Sequence, residues 1–200
     1  MKELDTYIAI EGPIGVGKTS LANMIADKLN ARKVFEKFEE NPFLKDFYDD
    51  PESNAFQTQV FFLLQRYQQQ QKDIRQLNLL QKGVVTDYMF EKDRLFAEVT
   101  LSPEELELYD KVYDHLTFDS PTPDLVIYLQ APVEVLLERI NKRGNPDEKF
   151  LTVDYLERLN DAYSKFFLYF ENAPLLIINA SDIDLEDGGS DYDMLIYKIM

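Results

Sequence analysis

The chain has 200 residues, of which 45% are hydrophobic and 29% charged, a composition typical of one globular domain. Its 37 acidic residues against 21 basic ones give a net charge of −16, which disfavours binding to a nucleic acid polymer or to an anionic lipid surface. The sequence contains no membrane-length apolar stretch, no signal-peptide core and no cysteine. We therefore expect a single cytoplasmic domain over 1–200, without disulfides or thiolate chemistry.

The acidic charge is concentrated in three segments. Residues 36–54, 101–124 and 181–200 carry net charges of −5, −6 and −5, whereas acids and bases balance in the rest of the chain. The balanced remainder is therefore free to form a locally cationic site.

Short apolar runs alternate with longer amphipathic stretches, the pattern of βαβ units. Strands are predicted at 7–10, 33–35, 83–86, 124–129 and 175–178. Helices are predicted at 19–30, 53–80, 91–98, 103–117, 133–142 and 153–171, with a last one at about 190–200. Because the strands are continuous apolar runs, they indicate a parallel sheet buried on both faces. The predicted fold class is α/β, with a five-stranded parallel sheet flanked by helices.

A phosphate-binding motif follows the first strand. The residues that match G-x-x-x-x-G-K-[ST] are Gly12, Pro13, Ile14, Gly15, Val16, Gly17, Lys18 and Thr19. With Ser20, these residues are expected to bind the phosphates of a nucleoside triphosphate through backbone N–H groups and the N-terminus of the next helix. Lys18 is predicted to contact the β- and γ-phosphates, and the Thr19 hydroxyl to bind Mg²⁺.

A second group at the Mg²⁺ is expected at the end of a buried strand. Asp87 follows the strand at 83–86, whereas the strand at 124–129 is followed by Gln130, which carries no charge to offset a divalent cation. Asp87 is therefore the predicted metal ligand.

Basic residues cluster near 140. Arg139, Lys142 and Arg143 lie at i, i+3 and i+4, on one face of a predicted helix, ahead of a Gly- and Pro-containing loop. Cations at a helix C-terminus are stabilising in any protein. The functional alternative is a lid over about 139–150 that brings arginines to the transferred phosphoryl group.

Six ordered blocks cover nearly the whole chain: Ile10–Thr19, Asn41–Pro42 with Phe47–Pro51, Ala55–Arg66, Asp87 with Asp93–Ala97, Leu136–Gly144 and Asp154–Leu159. In these blocks the chain resembles the deoxynucleoside kinase family of P-loop kinases, particularly its bacterial deoxyadenosine/deoxyguanosine kinase branch. The resemblance implies a three-layer P-loop kinase fold with an Arg-bearing lid, and a homodimer. It also implies transfer of the γ-phosphate of MgATP to the 5′-OH of a deoxynucleoside, with a purine preferred.

The resemblance also assigns a catalytic carboxylate. Glu36 matches the family's general base, which takes the proton of the 5′-OH, and Lys18, Arg139 and Arg143 are the cations expected at the phosphates. The family's usual Glu-Pro reads Glu36-Lys37 here, so Glu39 and Glu40 remain alternatives.

Residues for the acceptor nucleoside follow from the same resemblance. Base recognition is assigned to Gln59, Arg66 and Asp93, and the first two are seven residues apart on one helix face. Arg66 and Asp93 are expected to pair. Tyr48 matches the residue that contacts the sugar 3′-OH, and Glu148 matches its partner in the lid.

Two positions depart from the family pattern. Tyr88 follows Asp87 where the family commonly has an arginine near the 5′-oxygen, and Asn145 replaces a further lid arginine. Tyr88 carries no charge, so Arg139, Arg143 or Arg94 is expected to supply it; otherwise turnover is low. Two alternative functions stay open. One is a nucleoside monophosphate kinase of the thymidylate type, which shares the P-loop, sheet and lid but needs extra cations for the acceptor phosphate. The other is a nucleotide-binding regulatory module without turnover, which Tyr88 suggests.

Overall fold

The computed structural model describes residues 6–74, 83–117, 120–145, 148, 151–181 and 183. The strands within them are β1 (Thr6–Glu11), β2 (Arg32–Val34), β3 (Gly83–Thr86), β4 (Leu125–Gln130) and β5 (Leu175–Asn179). The helices are α1 (Lys18–Leu29), α2 (Leu44–Asp49), α3 (Pro51–Gln69), α4 (Lys92–Thr100), α5 (Pro103–Thr117), α6 (Val133–Arg143) and α7 (Val153–Leu168).

The five strands form one parallel sheet in the order β2-β3-β1-β4-β5. Strand β1 lies at the centre, where Ile8 is in register with Val85 of β3 and with Leu125 of β4. The predicted fold class, an α/β fold with a five-stranded parallel sheet flanked by helices, is confirmed.

Alternate residues of the central strands pack into two separate cores, one on each face of the sheet. Ile8 and Ile10 of β1 pack with α1 and α6, whereas Tyr7 and Ala9 pack with α4 and α7. Both faces of the central strands are therefore covered, which explains their continuous apolar sequences. A third core, around Leu63, joins α3, α4 and α5.

Some element predictions were wrong. The sheet is not buried on both faces throughout, because Ile177 on the edge strand β5 is 51% exposed. Helix α3 begins at Pro51 after an Asp50 N-cap and ends at Gln69, followed by a π-helical turn at Gln70–Ile74. Helix α2 lies in an acidic segment that the sequence patterns did not assign to any element. The predicted helical residues 75–80 and 190–200 lie outside the described residues.

Among the helices of the described ranges, we find none that is both long and apolar enough to cross a membrane.

Candidate active site

The candidate site lies at the edge of the sheet where β1, β2 and β3 end. Gly12 directly follows β1, Glu36 lies two residues after β2, and Asp87 directly follows β3. Because the strands are parallel and adjacent, their carboxyl ends meet at this edge, which is the ligand-binding edge of open α/β sheets.

The phosphate-binding loop is packed against β4 and α6, and two of its glycines are required by that packing. A Cβ on Gly12 would lie 2.4 Å from the Leu129 carbonyl oxygen, and one on Gly15 would lie 2.9 Å from that of Leu136. Both residues also have positive φ, +148° and +84°. The loop leads directly into α1, whose N-cap is Gly17, so the motif has the strand–loop–helix context that phosphate binding needs.

Lys18 turns back onto this loop. Its Nζ donates hydrogen bonds to the carbonyl oxygens of Gly12, at 2.8 Å, and Pro13, at 3.0 Å. Burial, and then repulsion from Lys92, lower the pKa of Lys18 to about 8. An anion at the loop would stabilise the charged form of this amine.

Thr19 and Asp87, the two residues predicted from the sequence to bind a metal, bring their side-chain oxygens together. The Thr19 Oγ1 donates to Asp87 Oδ2 at 2.6 Å, and Asp87 Oδ1 accepts from the Glu36 backbone N–H at 2.8 Å. Within the described ranges there is no cluster of three or more His, Asp or Glu side chains suited to a metal. Two protein oxygens at a phosphate-binding loop fit Mg²⁺, which is commonly held by one or two carboxylates plus substrate phosphates.

A cavity of about 330 Å³ opens beside this pair and brings most of the predicted acceptor residues together. Its walls include Lys18, Thr19, Glu36, Tyr48, Gln59, Arg66, Asp87, Arg143 and Glu148. Aromatic side chains cover much of the remainder, namely Phe35, Phe38, Phe47, Phe62, Phe96 and Tyr155. A cavity of this size, mostly apolar with a few convergent polar groups, is suited to a small organic ligand.

Glu36 is held between two cations in this cavity. One carboxylate oxygen pairs with Arg66 and the other with Lys92. Burial alone would raise the pKa of Glu36, but Arg66 and Lys92 hold it well below its ordinary value, so the side chain is a carboxylate at neutral pH. Glu39 and Glu40, the alternatives to Glu36, are both exposed, although Glu39 also lines the cavity.

Arg66 links Glu36 to Asp93. The guanidinium pairs with both carboxylates and lies over the rings of Phe62 and Tyr88, at 5.1 and 5.6 Å. The predicted pairing of Arg66 with Asp93 is confirmed. The expectation that Asp93 contacts a base is not supported, because Asp93 is completely buried behind Arg66 and does not line the cavity.

A second cavity, of about 580 Å³, lies on the other side of the phosphate-binding loop. It is lined by Gly15, Val16, Gly17, Lys18, Thr19, Ser20, Val135, Glu138, Arg139, Lys142, Arg143, Ser181 and Ile183. The two cavities share Gly15, Lys18, Thr19 and Arg143. The two ligand-sized cavities therefore lie on opposite sides of the loop and adjoin at Lys18 and Thr19.

The two predicted lid arginines have different surroundings. Arg139 donates to the carbonyl oxygens of Val16, Ala180 and Ile183, at 3.2, 2.7 and 3.2 Å, so it ties the loop to the segment after β5. Arg143 makes a bidentate ion pair with Glu148, at 2.6 and 3.0 Å. In this structure Arg143, but not Arg139, lines the cavity that contains Glu36.

Besides Arg143, a cation that the sequence analysis did not name lines the cavity that contains Glu36. Arg94, one of the suggested replacements, pairs with Asp110 and Glu98 and lines neither of these two cavities. Lys92, which the sequence analysis missed, reaches Glu36 instead. The sequence did contain an indication of this residue. Lys92 is the first residue of its helix, where the helix dipole disfavours a cation, so a stabilising contact elsewhere in the fold was to be expected.

Comparison with known proteins identified related kinases. A family model described as deoxynucleoside kinase matches residues 8–200. The chain is 43% identical to a deoxyguanosine kinase of Bacillus subtilis over 184 residues, which cover 90% of this chain and 88% of the relative. It is 37% identical to a deoxyadenosine kinase of Dictyostelium discoideum, over 88% of this chain and 73% of the relative. The structure of a deoxyadenosine kinase from M. mycoides with bound dATP superposes with a TM-score of 0.83 and 25% identity, over 96% and 98% of the two chains.

Proposed function

The chain belongs to the deoxynucleoside kinase family, and we propose that it transfers the γ-phosphate of MgATP to the 5′-OH of a purine deoxynucleoside. Membership makes it a phosphotransferase with an alcohol acceptor. The choice of ATP as donor, of a purine as acceptor and of the residues that act is the proposal.

One observation carries it: two cavities meet at Lys18 and Thr19. A donor nucleotide in the larger cavity, with its phosphates on the loop, directs its γ-phosphate towards the smaller one. An acceptor in the smaller cavity brings its hydroxyl to the same place. This arrangement holds both reactants in position for in-line transfer, which is most of what a protein contributes to phosphoryl transfer.

Glu36 is the proposed general base. As the 5′-oxygen forms its bond to the γ-phosphorus, the bond between that phosphorus and the β,γ-bridging oxygen breaks and ADP leaves. The hydroxyl proton passes to the Glu36 carboxylate, which Arg66 and Lys92 keep ionised beforehand. Lys18 and Arg143, present at both cavities, are placed to stabilise the negative charge of the phosphoryl group.

Thr19 and Asp87 are the residues proposed to hold Mg²⁺ with the donor phosphates. The ion would supply charge neutralisation at the β- and γ-oxygens. Asp87 also accepts a hydrogen bond from the Glu36 backbone, so the metal ligand and the base are held to one another directly.

Acceptor recognition is assigned to the walls of the smaller cavity. Gln59 is 2% exposed and presents an amide donor and acceptor side by side, which suits the paired edge of a base. Tyr48 and Glu148 line the same cavity and are proposed to contact the 3′-OH. The preference for a purine rests on relatives described as deoxyguanosine and deoxyadenosine kinases.

A homodimer and a cytoplasmic location complete the proposal. Leu64 on α3 and Leu108 on α5 are 42% and 52% exposed, so these helices offer apolar surface for association. Light scattering should give about twice the 23.4 kDa mass of one chain. A monomer at micromolar concentration would contradict the dimer, and cell fractionation tests the location.

The function is tested by ADP release from MgATP with each of the four deoxynucleosides and their monophosphates. We expect turnover with deoxyguanosine or deoxyadenosine and none with monophosphates as acceptors. Turnover only with thymidine monophosphate would favour the thymidylate-type alternative. ATP binding without ADP release for any acceptor would favour the regulatory alternative and refute the kinase.

A further inference from the structure

Lys92 occupies a position that local physics disfavours. It is the first residue of α4, where the helix dipole repels a cation, and it is only 5% exposed. A lysine is rarely buried without a partner, because an isolated ammonium loses its hydration. Its side chain is therefore held there by specific contacts, and local conflicts of this kind are expected mainly at functional sites.

Those contacts place the Lys92 ammonium in the cavity that contains Glu36. Nζ pairs with the Glu36 oxygen that Arg66 does not contact, and it lies 5.2 Å from the centroid of the Phe96 ring. Glu11 and Lys18 also act electrostatically with Lys92, from β1 and α1. Lys92 thus pairs with the carboxylate and also acts electrostatically on the phosphate-binding lysine.

No other described residue replaces Lys92 at that carboxylate oxygen. Tyr88 is fully buried, with its ring beneath Arg66 and its hydroxyl donating to Gln69 Oε1 at 2.9 Å. Arg139 is bonded to backbone carbonyls and Arg143 to Glu148. In the described part of the chain, Glu36 has only Arg66 and Lys92 as ion-pair partners.

We propose that Lys92 is a positioning residue for phosphoryl transfer: it holds the second Glu36 oxygen at the phosphate end of the cavity, facing the acceptor hydroxyl. This inference rests on the proposed function of Glu36 as the base. Without Lys92, Arg66 is the remaining ion-pair partner, and its planar guanidinium is able to bind both carboxylate oxygens at once. The carboxylate would then turn away from Lys18 and Thr19, towards the part of the cavity where Gln59 is proposed to bind the base. The contacts to ATP and to the acceptor base would stay in place.

The first test separates the rate from binding. For Lys92→Met we expect kcat to fall roughly 10²-fold, the effect of misplacing a reacting group by about 1 Å. The KM values for ATP and deoxynucleoside should change less than about threefold, because binding groups are retained. Lys92→Arg keeps a cation and should recover part of kcat. Lys111→Met is the matched control, since Lys111 is exposed on α5 and pairs only with Glu107 among the described residues.

A second test restores the charge chemically. Because the chain has no cysteine, the thiol of Lys92→Cys is the only one in the protein. Alkylation of the unfolded variant with 2-bromoethylamine, followed by refolding, rebuilds a lysine-length ammonium at residue 92. Iodoacetamide adds a neutral group of similar bulk. Mass spectrometry verifies complete labelling, and circular dichroism verifies the fold.

We expect the aminoethylated protein to regain at least tenfold in kcat over the carbamidomethylated one. Equal kcat values for the two folded proteins would overturn the proposal, as would a Lys92→Met kcat within threefold of the unmodified enzyme. An unmodified enzyme that releases no ADP with any acceptor is a different result, because it refutes the proposed function itself. If Lys92→Met lowers both kcat and Tm, and neither Lys92→Arg nor the aminoethylated Lys92→Cys restores kcat, Lys92 has a structural role only.

Discussion

The pairing of Arg66 with Asp93 offers a quantitative test of the site's construction. Asp93 is completely buried, and Arg66 is its only ion-pair partner among the described residues. Arg66→Met therefore leaves a buried carboxylate without a counter-charge and also removes one of the two cations at Glu36. Breaking a buried ion pair in this way costs about 3–5 kcal/mol. For a chain of this length, each kcal/mol lowers Tm by about 2–4 °C.

The double variant makes the prediction specific. Asp93→Asn alone should cost about 1.5–3 kcal/mol, the value of a hydrogen bond to a charged group. In the double variant Arg66→Met with Asp93→Asn, the side chain at residue 93 is an uncharged amide, so the loss of the Arg66 guanidinium no longer leaves a buried charge unpaired. We therefore expect the double variant to be more stable than the sum of the single losses predicts, by about 1–3 kcal/mol.

Urea unfolding followed by far-UV circular dichroism measures these free energies; the chain has no tryptophan to serve as a fluorescence probe. Arg158→Met is the control, because Arg158 is 56% exposed and its ion pair with Asp154 lies on the surface. That variant should lose less than about 1 kcal/mol. The reasoning is refuted if Arg66→Met also loses less than about 1 kcal/mol, or if the two single losses add without coupling.

Three further outcomes are expected. Glu36→Gln should lower kcat by about 10²–10⁴ while ATP still binds, as measured by steady-state kinetics and calorimetry, and a fall of less than tenfold would exclude Glu36 as the base. Thr19→Ala should raise the Mg²⁺ concentration for half-maximal activity by roughly tenfold in a Mg²⁺ titration, whereas an unchanged midpoint would remove Thr19 from the metal site. Gly12→Ala should destabilise the fold by about 1–3 kcal/mol, because its Cβ would meet the Leu129 carbonyl at a positive φ. Gly144→Ala is the matched control for urea unfolding, because Gly144 also has a positive φ but a Cβ there would lie 3.9 Å from the Asn141 carbonyl oxygen. Equal losses of stability in both variants would contradict the steric cause.

Features that depend on residues close to one another in the sequence were predictable from it. The phosphate-binding loop is contiguous, so Gly12 to Thr19 identify it without any tertiary information. The parallel sheet followed from apolar runs such as 124–129, because central strands covered on both faces have no reason to alternate. The edge strand β5 did not follow that pattern, since Ile177 faces solvent although its sequence is as apolar as the others.

The composition of the site was only partly predictable. The seven-residue spacing placed Gln59 and Arg66 on one face of a helix, and both line the cavity. Spacing along one helix does not say what lies behind it, so Asp93 was expected to contact a base but is buried behind Arg66.

The ion pairs that keep Glu36 ionised depend on the tertiary structure. Glu36 lies 30 residues from Arg66 and 56 from Lys92 along the chain. Which cation meets a carboxylate at such separations depends on how α3 and α4 pack against the ends of β2 and β3. The helix dipole disfavours a lysine at the start of a helix. Lys92 is stable there because the packing of α4 near the end of β2 brings the Glu36 carboxylate to it as a counter-charge.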